Sequence, residues 1–169
     1  QRLNREIEDI LNLRIREDFS LDSLLTETVK HMTVTDNIVP FGFKPLDDLT
    51  GGMTKGEITV VAGRPGHFKS TMTINVVSNL LNRGMKVLVF NREMSNVEMM
   101  KKLMIIESES LSYHTMRMGD FSESDKKELE LAKNKIKDKY KNLIMYDDVF
   151  DIDRAMREIR KNRPDVVVD

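Results

Sequence analysis

The feature that most constrains this chain is the octapeptide Gly63-Arg64-Pro65-Gly66-His67-Phe68-Lys69-Ser70, which lies between two apolar runs of different period. The run Ile58 to Ala62 predicts a strand, and the run Thr71 to Leu81 predicts an amphipathic helix. In a strand, loop and helix of this order, the backbone N–H groups of the loop and the positive end of the helix dipole point to one place. The sequence therefore predicts a loop that binds the phosphates of a nucleotide.

This loop matches the P-loop pattern G-x-x-x-x-G-K-[ST] except at Phe68, which stands where the second glycine belongs. Glycine is used there because the backbone approaches phosphate closely and needs permissive dihedral angles. We expect Lys69 to contact the β- and γ-phosphates and Ser70 to coordinate Mg²⁺. The predicted nucleotide-binding residues are Gly63, Arg64, Pro65, Gly66, His67, Phe68, Lys69, Ser70 and Thr71.

Composition restricts the other classes of function. The chain has 169 residues, of which 40% are hydrophobic and 33% charged, as in one globular domain. It has no cysteine, which excludes disulfides and thiolate metal sites within it. Its apolar runs are too short to span a membrane, so we expect a cytoplasmic protein with no membrane contact. The net charge of −1 neither favours nor excludes binding to nucleic acid.

Strands and helices alternate from Gly51-Gly52 onward. Short apolar runs predict further strands at Val87–Phe90, Leu143–Tyr146 and Val166–Val168, with helical patterns between them. Wholly apolar strands separated by helices are typical of a parallel sheet that is covered on both faces. The predicted fold class is therefore α/β with a mostly parallel sheet.

Two helical patterns precede this alternating region. The apolar positions are Ile7, Ile10 and Leu11 in the first, and Leu21, Leu24, Leu25 and Met32 in the second. The second helix is expected to begin after Ser20, a suitable N-cap. We predict an N-terminal helical or linker segment at residues 1–33 and the sheet-containing domain at residues 34–169. The apolar stripe of such a helix packs either on its own core or on a neighbouring subunit.

Two acidic residues follow predicted strands. Glu93 lies three residues after Phe90, and Asp169 directly follows Val168, as in a Walker B strand. Because ligands bind at the carboxyl ends of parallel strands, both carboxylates are expected near the P-loop nucleotide. Nucleotide hydrolysis needs a carboxylate that holds Mg²⁺ and a group that orients the attacking water. We assign Asp169 to the metal, with Ser70, and Glu93 to the water.

Five segments carry a family resemblance. They are Phe43 to Asp47, Gly63 to Ser70, Phe90 to Ser95, Met118 to Ser122 and Val166 to Asp169. In this order they resemble consecutive blocks of the DnaB-type replicative helicases, some of which are encoded by phages. The resemblance runs from about Val34 to the last residue, and it is specific because the E-M-S block, the G-D-F-S turn and the Asp-Asp pair occur in family order.

This resemblance implies a RecA-like P-loop NTPase core that uses ATP and Mg²⁺. It implies a homo-oligomer, a ring of six, that moves along single-stranded DNA and separates the strands at a replication fork. A primase or a helicase loader would be a possible partner, in the cytoplasm of a bacterium or a phage-infected host. Later strands, DNA-contacting loops and the arginine finger of the family have no counterpart here, so we expect residues 34–169 to be the N-terminal part of an incomplete ATPase domain.

The resemblance also implies residue roles. Glu93 would be the catalytic carboxylate that activates water, Lys69 the catalytic lysine on the phosphates, and Asp169 the Walker B acid. The helix Leu21 to Met32 would match the family's linker helix, which docks on the adjacent subunit.

Two other functions remain open on the sequence alone. One is a RecA-like ATPase of another kind, a recombinase or a signalling ATPase, although the blocks around Glu93 and Gly119 disfavour it. The other is a nucleotide-binding or ring-building module that does not hydrolyse ATP because Phe68 replaces glycine. The pair Asp147-Asp148 is interpreted as structural, ending a strand and leading into the next helix.

Overall fold

A computed structural model describes residues 20–33 and 38–169 of the chain. The predicted helix around Ile7, Ile10 and Leu11 lies outside the described residues. The chain divides into two compact units, residues 1–38 and residues 39–169, and each is described by itself.

In the first unit, α1 (Leu21–Thr33) forms where the second helical pattern predicts it. Ser20 caps this helix, because its Oγ accepts a hydrogen bond from the Ser23 backbone N–H at 3.3 Å. The predicted apolar stripe is exposed on α1, with Leu24 and Leu25 about half exposed and Met32 80% exposed.

The other elements follow in chain order. They are β1 (Ile38–Val39), α2 (Lys44–Thr50), β2 (Met53–Thr54), α3 (Lys69–Asn82), β3 (Val87–Phe90), α4 (Asn96–Glu107), α5 (Tyr113–Met118), α6 (Glu123–Lys139), β4 (Leu143–Tyr146), α7 (Ile152–Asn162) and β5 (Val166–Val168). Strands β1 and β2 form a two-stranded sheet. The main sheet has the order β4-β3-β5, and both of its pairings are parallel. The predicted α/β class is confirmed.

Strand β3 is the centre of the core because helices cover both of its faces. Val87 and Val89 face the larger apolar cluster, which contains residues of α3 and α4. Leu88 faces the other side, where Ala155 of α7 packs. All four residues of β3 are buried, as expected for a strand covered on both sides. Within the described ranges, no helix is long and apolar enough to cross a membrane.

The strand predicted at Ile58 to Ala62 is not present. These residues lie outside regular secondary structure, and the side chains of Ile58 and Val60 are 92% and 78% exposed. A β-branched run forms a strand only when neighbouring strands pair with its backbone and cover its side chains. In this structure the main sheet consists of β4, β3 and β5, and residues 58–62 do not form a strand in it.

Side-chain caps fix where two helices begin. At α6, the Ser122 hydroxyl accepts from the Asp125 N–H, and the Asp125 carboxylate accepts from the Ser122 N–H, so a complete capping box is present. At α4 only half of a capping box forms. The Ser95 Oγ accepts from the Glu98 N–H at 3.2 Å, but the Glu98 carboxylate pairs with Lys101 instead.

Candidate functional site

The P-loop residues form an exposed turn that leads into α3. The His67 N–H donates to the Arg64 carbonyl at 3.1 Å, which closes the turn. Gly66 has a φ of 80°, and Phe68 has a φ of 57°. A residue with a Cβ is strained in this left-handed region, so the backbone at Phe68 has a conformation that favours the glycine of the usual pattern.

Lys69 begins α3 and folds back over the loop. A Cβ added to Gly63 would lie 3.4 Å from the Lys69 Cγ, so the aliphatic part of the lysine passes close to the loop backbone. The N-cap residue of α3 is Phe68, whose side chain has no oxygen to accept a hydrogen bond from the first turn. The backbone N–H groups of this turn are therefore left for solvent or for an anion.

The direction of α3 brings this loop to the carboxyl edge of the sheet. Residues 83–86 join α3 to β3, and Val77 of α3 packs in the same cluster as Val87 of β3. The helix is therefore antiparallel to the strand. Its 14 residues span about 21 Å, longer than the roughly 13 Å of β3. The N-terminus of α3 thus lies toward the end of the sheet where β3, β4 and β5 finish.

A guanidinium group joins the loops that follow these three strands. Arg92 comes just after β3, and its Nε donates to the Asp169 carboxylate just after β5. Its Nη1 donates to the carbonyl of Phe150, in the segment after β4, at 3.1 Å. The predicted metal ligand Asp169 is therefore held by the residue that precedes Glu93. Sequence reasoning missed Arg92, although its position beside Glu93 was a signal.

The structure places Glu93 on this edge with an exposed side chain. Within residues 20–33 and 38–169, no cation forms an ion pair with it. Glu93 lies between the end of β3 and the N-cap of α4, two elements anchored in the core. Within the same ranges, no hydrogen bond or ion pair links Glu93 or Asp169 to the P-loop, so a ligand would have to connect them.

The adjacent acidic pair makes structural contacts. The Asp147 carboxylate accepts from the Asn96 N–H at the start of α4, at 2.8 Å. The Asp148 carboxylate accepts from Arg154 of α7 at 2.7 Å. These contacts agree with the interpretation that the pair ends a strand and leads into the next helix.

A buried polar cluster fixes α3 against α4 and α6. The Tyr140 hydroxyl lies 2.7 Å from the Glu107 Oε1 and 2.8 Å from the Ser78 Oγ, and Lys139 pairs with the Glu107 Oε2 at 2.9 Å. Burial alone would raise the pKa of Glu107, but hydrogen bonds from Tyr140 and Lys139 hold that pKa below its usual value. Burial is also the main cause that raises the pKa of Tyr140.

An apolar groove of about 370 Å³ lies beside the P-loop, between α3 and α4. Its lining includes Phe68, Ile74, Lys102, Ile105, Ile106 and Tyr113. The ring of Phe68 therefore faces this groove and is 77% exposed. The groove connects the unusual P-loop residue to an open apolar surface.

The donor set fits Mg²⁺ as part of a nucleotide complex. No group of three or more His, Cys, Asp or Glu residues in the described part of the chain could hold a metal alone. Mg²⁺ is commonly bound by one or two protein oxygens together with phosphates and waters. The Ser70 hydroxyl and the Asp169 carboxylate are oxygen donors of that kind.

The family model and the similar proteins indicate the same family for this chain. The family model described as "DnaB-like helicase C terminal domain" matches residues 39–169. The chain is 28% identical over 135 residues to the replicative DNA helicase DnaB of Leifsonia xyli subsp. xyli, covering 79% of this chain and 29% of that protein. It is 30% identical over 129 residues to the DnaB of Treponema pallidum, covering 72% and 29%. The chain thus spans less than a third of these relatives.

Solved structures share the fold. A structure of a DnaB-like replicative helicase, described together with its interactions with primase, superposes with a TM-score of 0.68 at 20% identity, covering 96% of this chain and 39% of that one. A solved ATPase domain superposes with a TM-score of 0.69 at 24% identity, covering 90% and 56%. The RecA-like ATPase fold predicted from the sequence is confirmed.

Proposed function

The chain belongs to the DnaB-like helicase C-terminal domain family, and on that basis we propose that it is the ATP-driven motor part of a replicative DNA helicase. The observation that carries the proposal is the arrangement at one edge of the sheet. The N-terminus of α3, with the P-loop, lies toward the edge that bears Glu93 and Asp169. These are the groups that nucleotide hydrolysis requires.

The P-loop would bind the triphosphate of ATP. Its exposed backbone and the first turn of α3 supply N–H donors, and Lys69 adds a positive charge beside them. Bound Mg²⁺, held by Ser70 and Asp169 with the phosphates, would neutralise charge on the β- and γ-phosphate oxygens. Arg64 and His67 are exposed in the same turn and would add contacts to the phosphates.

Glu93 would orient the attacking water. An exposed carboxylate without a cation partner keeps its oxygens for a water hydrogen bond. The buried strand β3 precedes Glu93, and the Ser95 cap of α4 follows it. In a ring, the nucleotide would lie between two subunits, and the adjacent subunit would complete the site.

The exposed stripe of α1 supports assembly into a homo-oligomer. Leu21, Leu24, Leu25 and Met32 present apolar surface on one side of this helix. An isolated helix with such a stripe gains stability by docking on an apolar surface. We assign α1 to the linker that docks on the adjacent subunit of a hexameric ring around single-stranded DNA, and a primase or helicase loader is a further proposed partner.

Phe68 supports one alternative, a ring module that binds nucleotide without hydrolysing it. The residue keeps the left-handed backbone of the P-loop at the cost of strain. If the ring of Phe68 blocks turnover, Phe68→Gly should create ATP hydrolysis where the wild type has none. If the site is competent, the same substitution should leave hydrolysis nearly unchanged.

The proposal is tested by steady-state ATP hydrolysis of the full-length protein, with and without single-stranded DNA. We expect DNA to stimulate hydrolysis, and Glu93→Gln to reduce it by at least about a hundredfold while nucleotide binding persists. Glu98→Gln changes a partly exposed carboxylate in the first turn of α4, so it is the matched control and should retain the wild-type rate. Binding without hydrolysis in every condition would contradict the motor and favour the binding module.

A further inference from the structure

The contact between Arg92 and Asp169 joins residues 77 positions apart in the chain. Both side chains are partly exposed, at 35% for Arg92 and 55% for Asp169. Exposed ion pairs contribute little to folding stability, so the pair is a weak explanation of how the fold is held together. The ion pair also lies at the proposed nucleotide site, because Asp169 is the proposed metal ligand.

One side chain here makes contacts with two separate segments. Arg92 donates from Nε to Asp169 after β5 and from Nη1 to the Phe150 carbonyl after β4. Because Arg92 itself follows β3, its guanidinium spans all three strand ends of the sheet. The planar group fixes two donor directions at once, which a lysine ammonium does not.

We propose that Arg92 is a positioning residue for Asp169. Its hydrogen bond to Oδ1 fixes the orientation of the carboxylate and thereby sets the affinity of the nucleotide site for Mg²⁺. This inference rests on the proposed function of Asp169 as a metal ligand. Carboxylates that ligate metals are commonly oriented by a hydrogen-bond partner, and loss of such a partner lowers metal affinity.

A neighbouring ion pair provides the comparison. Arg154 pairs with Asp148 through the side chain and also donates to the Asp148 carbonyl. The side chains of Arg154 and Asp148 are 42% and 64% exposed, close to the values for Arg92 and Asp169. The two partners lie six positions apart, and neither is a proposed ligand. Arg154→Gln therefore removes a similar charge and ion pair near the same edge but leaves the hydrogen bond between Arg92 and Asp169 in place.

The test measures the binding of a fluorescent N-methylanthraniloyl derivative of ATP to the full-length protein, once with Mg²⁺ and once with EDTA. The quantity compared is the gain in affinity on adding Mg²⁺. We expect Arg92→Gln to lose about tenfold or more of this gain, with little change in EDTA. Arg92→Lys should recover only a small part, because it keeps the charge but not both donor directions.

Arg154→Gln should keep the full gain, and thermal melting followed by circular dichroism should show that each variant is folded. The inference is overturned if Arg92→Gln retains the wild-type gain, or if it weakens binding equally with Mg²⁺ and EDTA. Full rescue by Arg92→Lys would also overturn the two-contact account. Failure of the wild type to bind the nucleotide at all would instead refute the proposed function on which the inference depends.

Discussion

Phe68 has a left-handed backbone, with a φ of 57° and a ψ of 22°, at the position where the P-loop pattern has glycine. The substitutions Phe68→Gly and Phe68→Ala both remove the ring. Only glycine adopts this backbone region without a steric penalty from Cβ. The difference in the free energy of unfolding between the two variants therefore measures the strain at this position.

The magnitude follows from three contributions. A Cβ in the left-handed region costs about 1–2 kcal/mol. Glycine relieves that strain but gives the unfolded chain more freedom, which offsets roughly 0.5–1 kcal/mol. The ring of Phe68 is 77% exposed, so its loss should cost only about 0.5 kcal/mol in either variant. We expect Phe68→Gly to be about 0.5–1 kcal/mol more stable than Phe68→Ala.

The assay is thermal unfolding followed by circular dichroism for the wild type and both variants. For a chain of this size the expected difference in midpoint is about 1–4 °C, with the glycine variant higher. Glu130 in the middle of α6 supplies a control of opposite sign, because it lies in a regular helix. There Glu130→Ala should be more stable than Glu130→Gly by about 1 kcal/mol.

An alanine variant at Phe68 that equals or exceeds the glycine variant would refute this reasoning. The backbone at that position would then not be held in the left-handed region, and the P-loop geometry described above would be wrong. If the glycine variant is less stable than the alanine variant at both Phe68 and Glu130, glycine destabilises this protein at both positions and the left-handed backbone at Phe68 has no measurable effect.

The other predictions concern the core, the buried polar cluster and α1. Leu88→Ala should lower the free energy of unfolding, measured by urea denaturation, by about 2–5 kcal/mol, because it opens a cavity in the fully buried centre of β3. Tyr140→Phe should cost about 1–3 kcal/mol, because it removes a hydrogen bond to buried Glu107. Since the folded-state pKa of Glu107 is lowered, its contribution to stability is present at neutral pH and lost as the pH falls below 4.5, and Tyr140→Phe should weaken that dependence. Leu25→Glu should reduce the oligomer mass measured by light scattering, because it places a charge in the apolar stripe of α1.

Each of these has a matched control. Leu49→Ala removes a leucine that is 84% exposed, and Tyr113→Phe removes the hydroxyl of a tyrosine that is 53% exposed, so both should be nearly neutral. Thr26→Glu adds the same charge to the other side of α1 and should leave the oligomer intact. An effect of similar size in any control would contradict the mechanism assigned to its partner.

The sequence predicted the three paired strands at the bounds that the structure has. Val87–Phe90, Leu143–Tyr146 and Val166–Val168 are short, wholly apolar runs, a pattern that requires cover on both faces. The same reasoning was wrong for Ile58 to Ala62. A strand depends on its neighbours as well as on its residues, and propensity gives no information about which neighbours are present.

In the candidate site, too, the sequence predicted the local features but not the contacts between distant residues. The helix predicted at Thr71 to Leu81 followed from a local motif of contiguous residues, and α3 begins two residues earlier, at Lys69. The sequence did not predict the ion pair between Arg92 and Asp169 or the hydrogen bond between Tyr140 and Glu107. Their partners lie 77 and 33 positions apart in the chain and follow no sequence period. Such long-range polar pairs become visible only when the fold brings the chain together.

The central claim, a helicase motor, is tested most directly by strand separation on a forked DNA duplex with a labelled strand. The full-length protein with ATP and Mg²⁺ should release the labelled strand. Release should stop with a non-hydrolysable ATP analogue and with Lys69→Ala, which removes the charge proposed to bind the phosphates. Hydrolysis of ATP by the wild type without any release of the strand, under conditions where the protein binds the fork, would contradict the account.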